Sequence, residues 1–595
     1  MQGRGPGWGR VYKVAPPRRG GGLGVRPESS WNTMSSLALL LCAVAAGAAP
    51  IPLTDADSAR AFGGVGGISA GASSRTLNDY PEPKRTLLFD ALFAPASPPI
   101  VLSDAQRSRV FDGIGGISGG GATSRLIEDY PTTKVQALYD ALFTPQAAAA
   151  LQVVKVEIPA DADTTCGSEQ AHRHDAGDGG SCTRGYEGAF LAEAAARRPG
   201  IAAHSLQWAA PAFVGEEGVD AGKSLFTRTN AEEYVLPWLR CMRDAYNVSI
   251  EWQGSGWNEK PHNNTYARVL RGVLDDSGFQ ATRLASADQC CGGQWGIVKD
   301  IVADPTLLEA IGAVTVHCGG ALNKYDTPDA AVALGIPLYQ GEEHFGLPDP
   351  QGIPAWEWPA AAATGIEISQ NWVLSNLSAT IFWPAAYAWL SGLNYQGKGF
   401  VVAVSPWGDA PCYIPTSLWV LAHTTHFTSP GVSVLLNGTG SGHLGDASSL
   451  LPPQNGRGWN VSYVSYITGE DLTVVVESFI AGGQWQSRRG AGAQAAAGAA
   501  DSTYATFQLM GSLARLAGSM LHVWHTNETS IFQRLADVPV APDGTFSITI
   551  EPGAIYSAWR VFLHPRFASS LPSLLIPLLT PSTHDAHLPP PRPHP

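Results

Sequence analysis

Two acidic stretches carry residue types suited to cleaving a glycosidic bond. The first is Trp257-Asn258-Glu259, which follows an alternating run, Asn247-Val248-Ser249-Ile250-Glu251-Trp252, that reads as a strand. A glutamic acid there can protonate a glycosidic oxygen, and the asparagine before it can hold the hydroxyl beside the anomeric carbon. Such hydrolysis normally uses a second carboxylate on the other side of the bond. The second stretch, Tyr339-Gln340-Gly341-Glu342-Glu343, offers one. Neighbouring strand residues point to opposite faces, so only one of Glu342 and Glu343 is expected to face a pocket.

These carboxylates need elements that bring them together. From 111 to about 405 strand-like and helix-like runs alternate. The strand-like runs are Gly113–Ser118, Val153–Ile158, His204–Trp208, Val248–Trp252, Arg283–Asp288, Ala313–Cys318, Ile336–Tyr339 and Ala379–Trp383. Helix-like runs include Tyr186–Arg198, Ala231–Tyr246, Tyr266–Asp276 and Pro328–Leu334. Eight strands alternating with helices predict a (β/α)8 TIM barrel, α/β in class, over 107–425. Glu259 then follows strand four and Glu342 strand seven, and both belong to the C-terminal mouth where such barrels carry their sites. Beyond 425 the texture changes. Val432–Leu436, Trp459–Tyr466, Leu472–Glu477, Thr503–Leu509, Met520–Trp524 and Thr545–Ile550 are short alternating runs, which predict an all-β antiparallel β-sandwich over 426–565. Within it, 490–500 is a Gly/Ala-rich loop, and the Pro-rich tail 566–595 reads as disordered.

The N-terminal part has its own logic. Residues 35–50 have the apolar core and small-residue end of a secretory signal, with Ala46-Gly47-Ala48 at the cleavage position. The run is too short to span a membrane. A Gly/Arg-rich lead-in precedes it, so 1–50 reads as basic lead-in plus signal; a transit peptide is the rival reading. Six N-x-S/T sequons, at Asn247, Asn263, Asn376, Asn437, Asn460 and Asn527, favour the secretory pathway, with a lysosomal, vacuolar or extracellular end point. Asn247 is expected beside a buried strand and unused. Phe62-Gly63-Gly64-Val65-Gly66-Gly67-Ile68-Ser69 is echoed by Phe111-Asp112-Gly113-Ile114-Gly115-Gly116-Ile117-Ser118. Two copies are too few for a solenoid. The second copy is expected to enter the barrel, leaving 51–106 as a duplicated appendage.

Composition narrows the classes. Charged residues are only 15%, with 66 Gly, 44 Pro and 18 Trp, which suits loop-rich folds with aromatic-lined pockets. A net charge of −13 argues against nucleic acid as a partner. Cys42 falls in the signal, and the other seven cysteines leave an odd thiol and no deducible pairing. His172-Arg173-His174 and His423…His426 have metal-like spacing, but neither sits in an H-E-x-x-H motif, and packing or loop roles are expected for both. No metal or organic cofactor is expected. Trp208, Trp383, Tyr395 and Trp407 stand near strand ends, where rings could stack on a sugar or simply fill the core.

The chain resembles the galactocerebrosidase (galactosylceramidase) family of lysosomal glycosidases. The resemblance rests on Phe111-Asp112-Gly113-Ile114-Gly115, Ser118–Leu126, Asp129-Tyr130-Pro131, Lys155-Val156-Glu157-Ile158 with Thr164-Thr165, Trp257-Asn258-Glu259, Glu342, Pro406-Trp407 and Ala422–Thr428. It runs from about 107 to about 560 and implies the same barrel-then-sandwich order. It also implies a retaining hydrolysis of the β-galactosyl bond of galactosylceramide, with Glu259 as acid/base and Glu342, rather than Glu343, as nucleophile. Gly120, Thr165, Trp208, Asn258, Trp383 and Tyr395 are the implied galactose contacts, and Arg488, with Arg489 as competitor, the implied arginine from the sandwich. A lipid-presenting activator protein is an implied partner. The family's further lectin-like domain has no counterpart in the sequence, and its loop-to-loop disulfide has no obvious partners here. The rival readings are a related β-glycosidase acting on glucosylceramide or simple β-galactosides, and an inactive secreted carbohydrate-binding homologue.

Overall fold

The computed structural model describes residues 99–560 except 106, 120–129, 146, 162, 165–166, 215–224, 291, 320–326, 345–357, 374, 390–397, 405–411, 436–439, 445–460, 470, 480–502 and 552. The signal, the first repeat copy, the 490–500 loop, the Pro-rich tail, and the sequons at Asn437 and Asn460 lie outside the described residues.

Eight strands close a barrel in which every neighbouring pair is parallel: Gly113–Ser118, Val153–Ile158, Ala202–Gln207, Trp252–Trp257, Arg283–Gln289, Ala313–His317, Leu338–His344 and Ala379–Trp383. Helices cover its outside, among them Thr132–Phe143, Glu187–Arg197, Leu236–Ala245, Asn264–Asp276, Gly296–Ala303, Trp358–Val373 and Thr416–Thr425. Helix Asn264–Asp276 shows how local sequence sets such an element. Asn263 caps it by accepting from the Tyr266 N–H at 2.8 Å, and Tyr266, Leu270, Val273 and Leu274 form the buried stripe that meets the barrel. The four predicted helices recur with ends shifted by three residues at most; the one before strand four opens with Arg228–Asn230 and passes through a π-helical turn, Ala231–Val235, into Leu236–Ala245. Trp252, Ala285, Ala313, Tyr339 and Ala379 plug the lower barrel interior.

Two strands differ from expectation. Strand four is Trp252–Trp257, not Val248–Trp252. Val248 and Ile250 alternate because both are buried on the approach to the barrel. The strand itself is Gly- and Ser-rich because its neighbours crowd it. A Cβ on Gly254 would lie 2.4 Å from Leu206 Cδ1, and one on Gly256 would lie 2.2 Å from the Ala287 carbonyl. Strand seven runs on to His344, so Glu342 sits within it rather than after it. Asn247, expected beside a buried strand, stands next to buried Val248 but is itself exposed, in a left-handed turn (φ 55°).

The β-sandwich follows. Its larger sheet orders Arg107–Val110, Ser433–Leu435, Val461–Thr468, Asp471–Glu477, Ile555–Arg560, Met520–Thr526 and Gln533–Arg534. Its smaller sheet orders Ile100–Ser103, Thr503–Met510 and Thr545–Ile550. Thr545–Ile550 alternates buried and exposed residues, as a strand with one wet face should. Ile555–Arg560 was not foreseen, because it is buried along nearly its whole length and does not alternate. The boundary that assigned residues up to 106 to an appendage also needs correcting. Ile100–Ser103 pairs with Thr503–Met510 in parallel register, and Leu102 is 0% exposed in the sandwich core. The sandwich is therefore antiparallel except at this strand.

Helix Thr416–Thr425 joins the two layers. His423 donates from Nδ1 to Ser557 Oγ at 2.7 Å and accepts from Thr526 Oγ1 at 2.8 Å, while Ser557 donates to the His423 carbonyl. Burial holds this imidazole far below its usual pKa, so it is neutral. His426 contacts the Ala148 carbonyl at 2.8 Å. Cys182 and Cys241 form a disulfide that ties the loop before helix Glu187–Arg197 to helix Leu236–Ala245. Among the described residues no helix is long and apolar enough to cross a membrane.

Candidate active site

Glu259 leaves strand four in a left-handed conformation (φ 62°). Its N–H donates to the Asp288 carbonyl at 3.0 Å, and the Lys260 N–H turns back to the Trp257 carbonyl at 2.9 Å. The turn thus keeps the Glu259 carboxylate half exposed on the mouth. Glu342 reaches the same mouth from strand seven, where it is only 4% exposed. The ladder to strand eight slips between Gln340 and Glu343, and that irregularity buries two consecutive glutamates. They nevertheless diverge. Glu343 accepts from Gln340 Nε2 and from the His344 N–H, whereas Glu342 turns toward His317.

His317 is the meeting point. Its Nδ1 lies 3.9 Å from Glu259 Oε1, and its Nε2 lies 3.6 Å from Glu342 Oε2 and 3.1 Å from Asp288 Oδ1. Asp288 Oδ2 is paired with Lys155 Nζ at 2.6 Å, and the same ammonium donates to the Gly341 carbonyl at 2.9 Å. Burial alone would push both acids up. At Asp288 the Lys155 and His317 charges overcome it and hold the carboxyl well below the usual range. At Glu342 burial wins, opposed by His317 and Lys155 and reinforced by Glu259 and Asp288, so its pKa is raised. Burial would lower His317, but the Glu342 and Asp288 charges outweigh it and raise its pKa, favouring the imidazolium.

Asn258 and Trp208 stand beside this cluster. The Asn258 N–H donates to the Gln207 carbonyl at 3.0 Å, and Trp257 Nε1 donates to the Trp208 carbonyl at 2.6 Å. The Asn258 Oδ1 and the Trp208 indole N–H are buried and find no hydrogen-bond partner among the described residues, which is uncommon for buried polar atoms. Trp208 and Trp383 pack in one apolar cluster with Ile117, Val153, Ile381 and Tyr387. The Trp208 ring fills the space over Gly119, where a Cβ would come within 2.7 Å of it. Of the residues singled out from the sequence, the structure thus gathers Glu259, Glu342, Asn258, Trp208 and Trp383 at strand ends three, four, seven and eight. Gly120, Thr165, Tyr395, Trp407, Arg488 and Arg489 lie outside the described residues.

Lys155, Asp288 and His317 were not read as site residues from the sequence. Each is an ionisable residue within a buried stretch of a barrel strand, and that was the available signal. In chemical terms, a buried carboxylate and a half-exposed one share an imidazolium at the open end of a barrel. This arrangement can supply a nucleophile and a proton donor to one bond.

A TIM barrel with a β-sandwich and two carboxylates at the mouth is an architecture known among glycoside hydrolases. Solved structures of similar fold include SrfJ from Salmonella typhimurium (TM-score 0.56, 14% identity, 79% of this chain and 94% of that one). Another is the catalytic domain of GH30 xylanase C from Talaromyces cellulolyticus (TM-score 0.54, 14% identity, 78% and 99%). At that identity they speak for the fold alone. Residues 111–426 match the model of glycosyl hydrolase family 59, and the chain belongs to that family. Similar relatives are galactocerebrosidase of Danio rerio, 30% identical over 84% of this chain and 63% of that protein, and galactocerebrosidase of Homo sapiens, 28% identical over 88% and 64%. The chain therefore spans less than two thirds of the length of these curated relatives.

Proposed function

We propose that this protein is a retaining glycoside hydrolase that releases galactose from β-galactosides, galactosylceramide being the substrate its relatives' names point to. The observation that carries the reading is the approach of Glu259 and Glu342 to one imidazole, at 3.9 and 3.6 Å, on the mouth of the barrel. In the first step a Glu342 oxygen bonds to the anomeric carbon. The bond to the aglycone oxygen breaks, its electron pair stays on that oxygen, and Glu259 supplies the proton. In the second step Glu259 takes a proton from water, the water oxygen bonds to the anomeric carbon, and Glu342 leaves as carboxylate. Two inversions give net retention. Asn258 holds the 2-hydroxyl, and Trp208 and Trp383 offer ring faces to the sugar.

A ceramide aglycone must be lifted from a bilayer, so this reading includes a lipid-presenting activator protein and a secretory-pathway compartment such as the lysosome. The test is to incubate purified protein with galactosylceramide, follow free galactose, and record by NMR which anomer forms first. Release of β-galactose, abolished in folded Glu342→Gln, is expected. First release of the α-anomer, or unchanged turnover in the variant, would refute the mechanism.

A further inference from the structure

Lys155 is an unusual occupant of its position. It lies in the middle of barrel strand two, between Ile117 on strand one and His204 on strand three, and is only 4% exposed. Lysine is almost never buried to this extent without a partner. Its ammonium crosses the barrel interior to two strands that are not its neighbours. On strand five it meets Asp288 Oδ2 at 2.6 Å, and on strand seven the Gly341 carbonyl at 2.9 Å. Gly341 directly precedes Glu342, and its missing side chain makes room for the Asp288 carboxylate. The other Asp288 oxygen faces His317 at 3.1 Å, and His317 faces Glu342 at 3.6 Å.

We infer that Lys155 is a positioning residue for Glu342: one ammonium fixes the backbone before that carboxylate and pairs with Asp288, whose other oxygen faces the His317 ring beside Glu342. Lys155 does not touch Glu342 and acts through these intermediaries. Among the described residues, the charged and titratable groups around Glu342 are His317 on strand six, Asp288 on strand five, Lys155 on strand two, Glu259 after strand four and Cys318 after His317, with Glu343 next to it in sequence and Glu367 on helix Trp358–Val373 also acting on Cys318. His204 lies beside Lys155 on strand three, and burial holds it at about 3, so it adds no charge. Without Lys155, Asp288 keeps only His317 as a countercharge, so more of its negative charge is felt at Glu342, and a cation that favours the Glu342 carboxylate disappears. Both changes favour its protonated form.

The experiment uses the full chain with Lys155→Met and Lys155→Arg. The pH dependence of kcat/KM is recorded on a dinitrophenyl β-galactoside, whose leaving group needs little help from an acid. Alongside, the Glu342 carboxyl is titrated by 13C NMR, its signal assigned with Glu342→Gln. In Lys155→Met the acidic limb and the Glu342 titration should both move up by about one pH unit, a roughly tenfold loss of ionised Glu342 below the limb. Lys155→Arg keeps the charge but not the fit, so the titration should stay in place while kcat falls. It serves as the test should Lys155→Met fail to fold. A uniform loss of activity in Lys155→Met with an unmoved titration, or a Lys155→Arg titration displaced by a full unit, would overturn the inference.

The role rests on the reading of Glu342 as nucleophile, yet the NMR titration needs no substrate. Wild-type protein inert on β-galactosides with a shifted variant titration would refute the reaction alone. Active protein with an unmoved titration would refute the positioning role alone.

Discussion

Replacing Gly341 by alanine places a methyl group where the structure has no room for one. The added Cβ would lie 2.4 Å from Asp288 Oδ1 and 3.1 Å from Thr315 Cβ. The carboxylate cannot swing aside cheaply, because Lys155 and His317 hold its two oxygens at 2.6 and 3.1 Å. Strand seven cannot retreat without stretching the 2.9 Å bond from Lys155 to the Gly341 carbonyl. Gly341 has no left-handed backbone to lose, so the cost is steric. Overpacking of this kind costs about 1–3 kcal/mol, and weakening a hydrogen bond to a charged group adds about 1.5–3 kcal/mol. The expected loss is therefore roughly 2.5–6 kcal/mol of stability, read by urea denaturation. Displacing the adjacent Glu342 by up to about 1 Å should lower kcat on the order of 100-fold, with KM changing much less. Wild-type stability together with wild-type kcat would show that strands five and seven are not apposed through Asp288, and the charge cluster would have to be redrawn.

Two further outcomes are expected. Glu187 accepts from Ser118 Oγ at 3.2 Å and shares a hydrogen bond with Glu169, and burial raises the pKa of both acids. A carboxyl raised in the folded state binds protons that the unfolded chain has released, so its contribution to stability falls as pH climbs from the ordinary Glu value toward the raised one. Glu477, pushed up to about 7 by burial, acts the same way. The buried imidazoles of His172 and His426, lowered to about 4, act oppositely below their ordinary value. The readout is therefore the Tm of Glu187→Gln minus that of wild type, which should grow from pH 4.5 to 8; a constant difference would contradict the shared proton. The Cys182–Cys241 bridge closes a separation of 59 residues, for which loop entropy predicts about 4 kcal/mol. Paired Cys→Ser replacement should cost about 2–4 kcal/mol by chemical denaturation, and an unchanged midpoint would show that the bridge constrains nothing.

The barrel was legible because its strands are short apolar runs at regular spacing, and strands such as Val153–Ile158 and Ala379–Trp383 recur with the expected ends. Strand four slipped because Trp252-Gln253-Gly254-Ser255-Gly256-Trp257 lacks β-branched residues, glycine being required by the backbones and side chains beside it. Glu259 and Glu342 were legible as acids at strand ends; the residues alone left Glu342 and Glu343 open, the family resemblance favoured Glu342, and the physical difference between them appears only with the slip in strand seven. The contacts of Lys155 with Asp288 and with Gly341 join positions 133 and 186 residues apart, and no local pattern records such a meeting. The disulfide was illegible for the same reason.

The sandwich does more than follow the barrel. Its strands Ile100–Ser103 and Arg107–Val110 come before barrel strand one, and the remainder comes after strand eight. At the crossing, Phe111 exchanges backbone bonds with Val432 and Gly431 and packs against Trp372 and Tyr466. Neither layer can open without unpairing the other there. One residue of this entry strand reaches the segment that leads into the strand carrying Glu342. The Arg109 guanidinium donates to the Val332 carbonyl at 2.9 Å and to that of Ile336, two residues before Leu338 begins strand seven. That strand is thus held by a cation at each end of the segment leading to Glu342: Arg109 on the carbonyl of residue 336, and Lys155 on the carbonyl of residue 341. The ladder to strand eight slips between Gln340 and Glu343, and the Lys155 bond falls on the Gly341 carbonyl inside that slip. The approach to the strand is thus tied by a side chain from the sandwich, and the slip itself by one from the barrel interior.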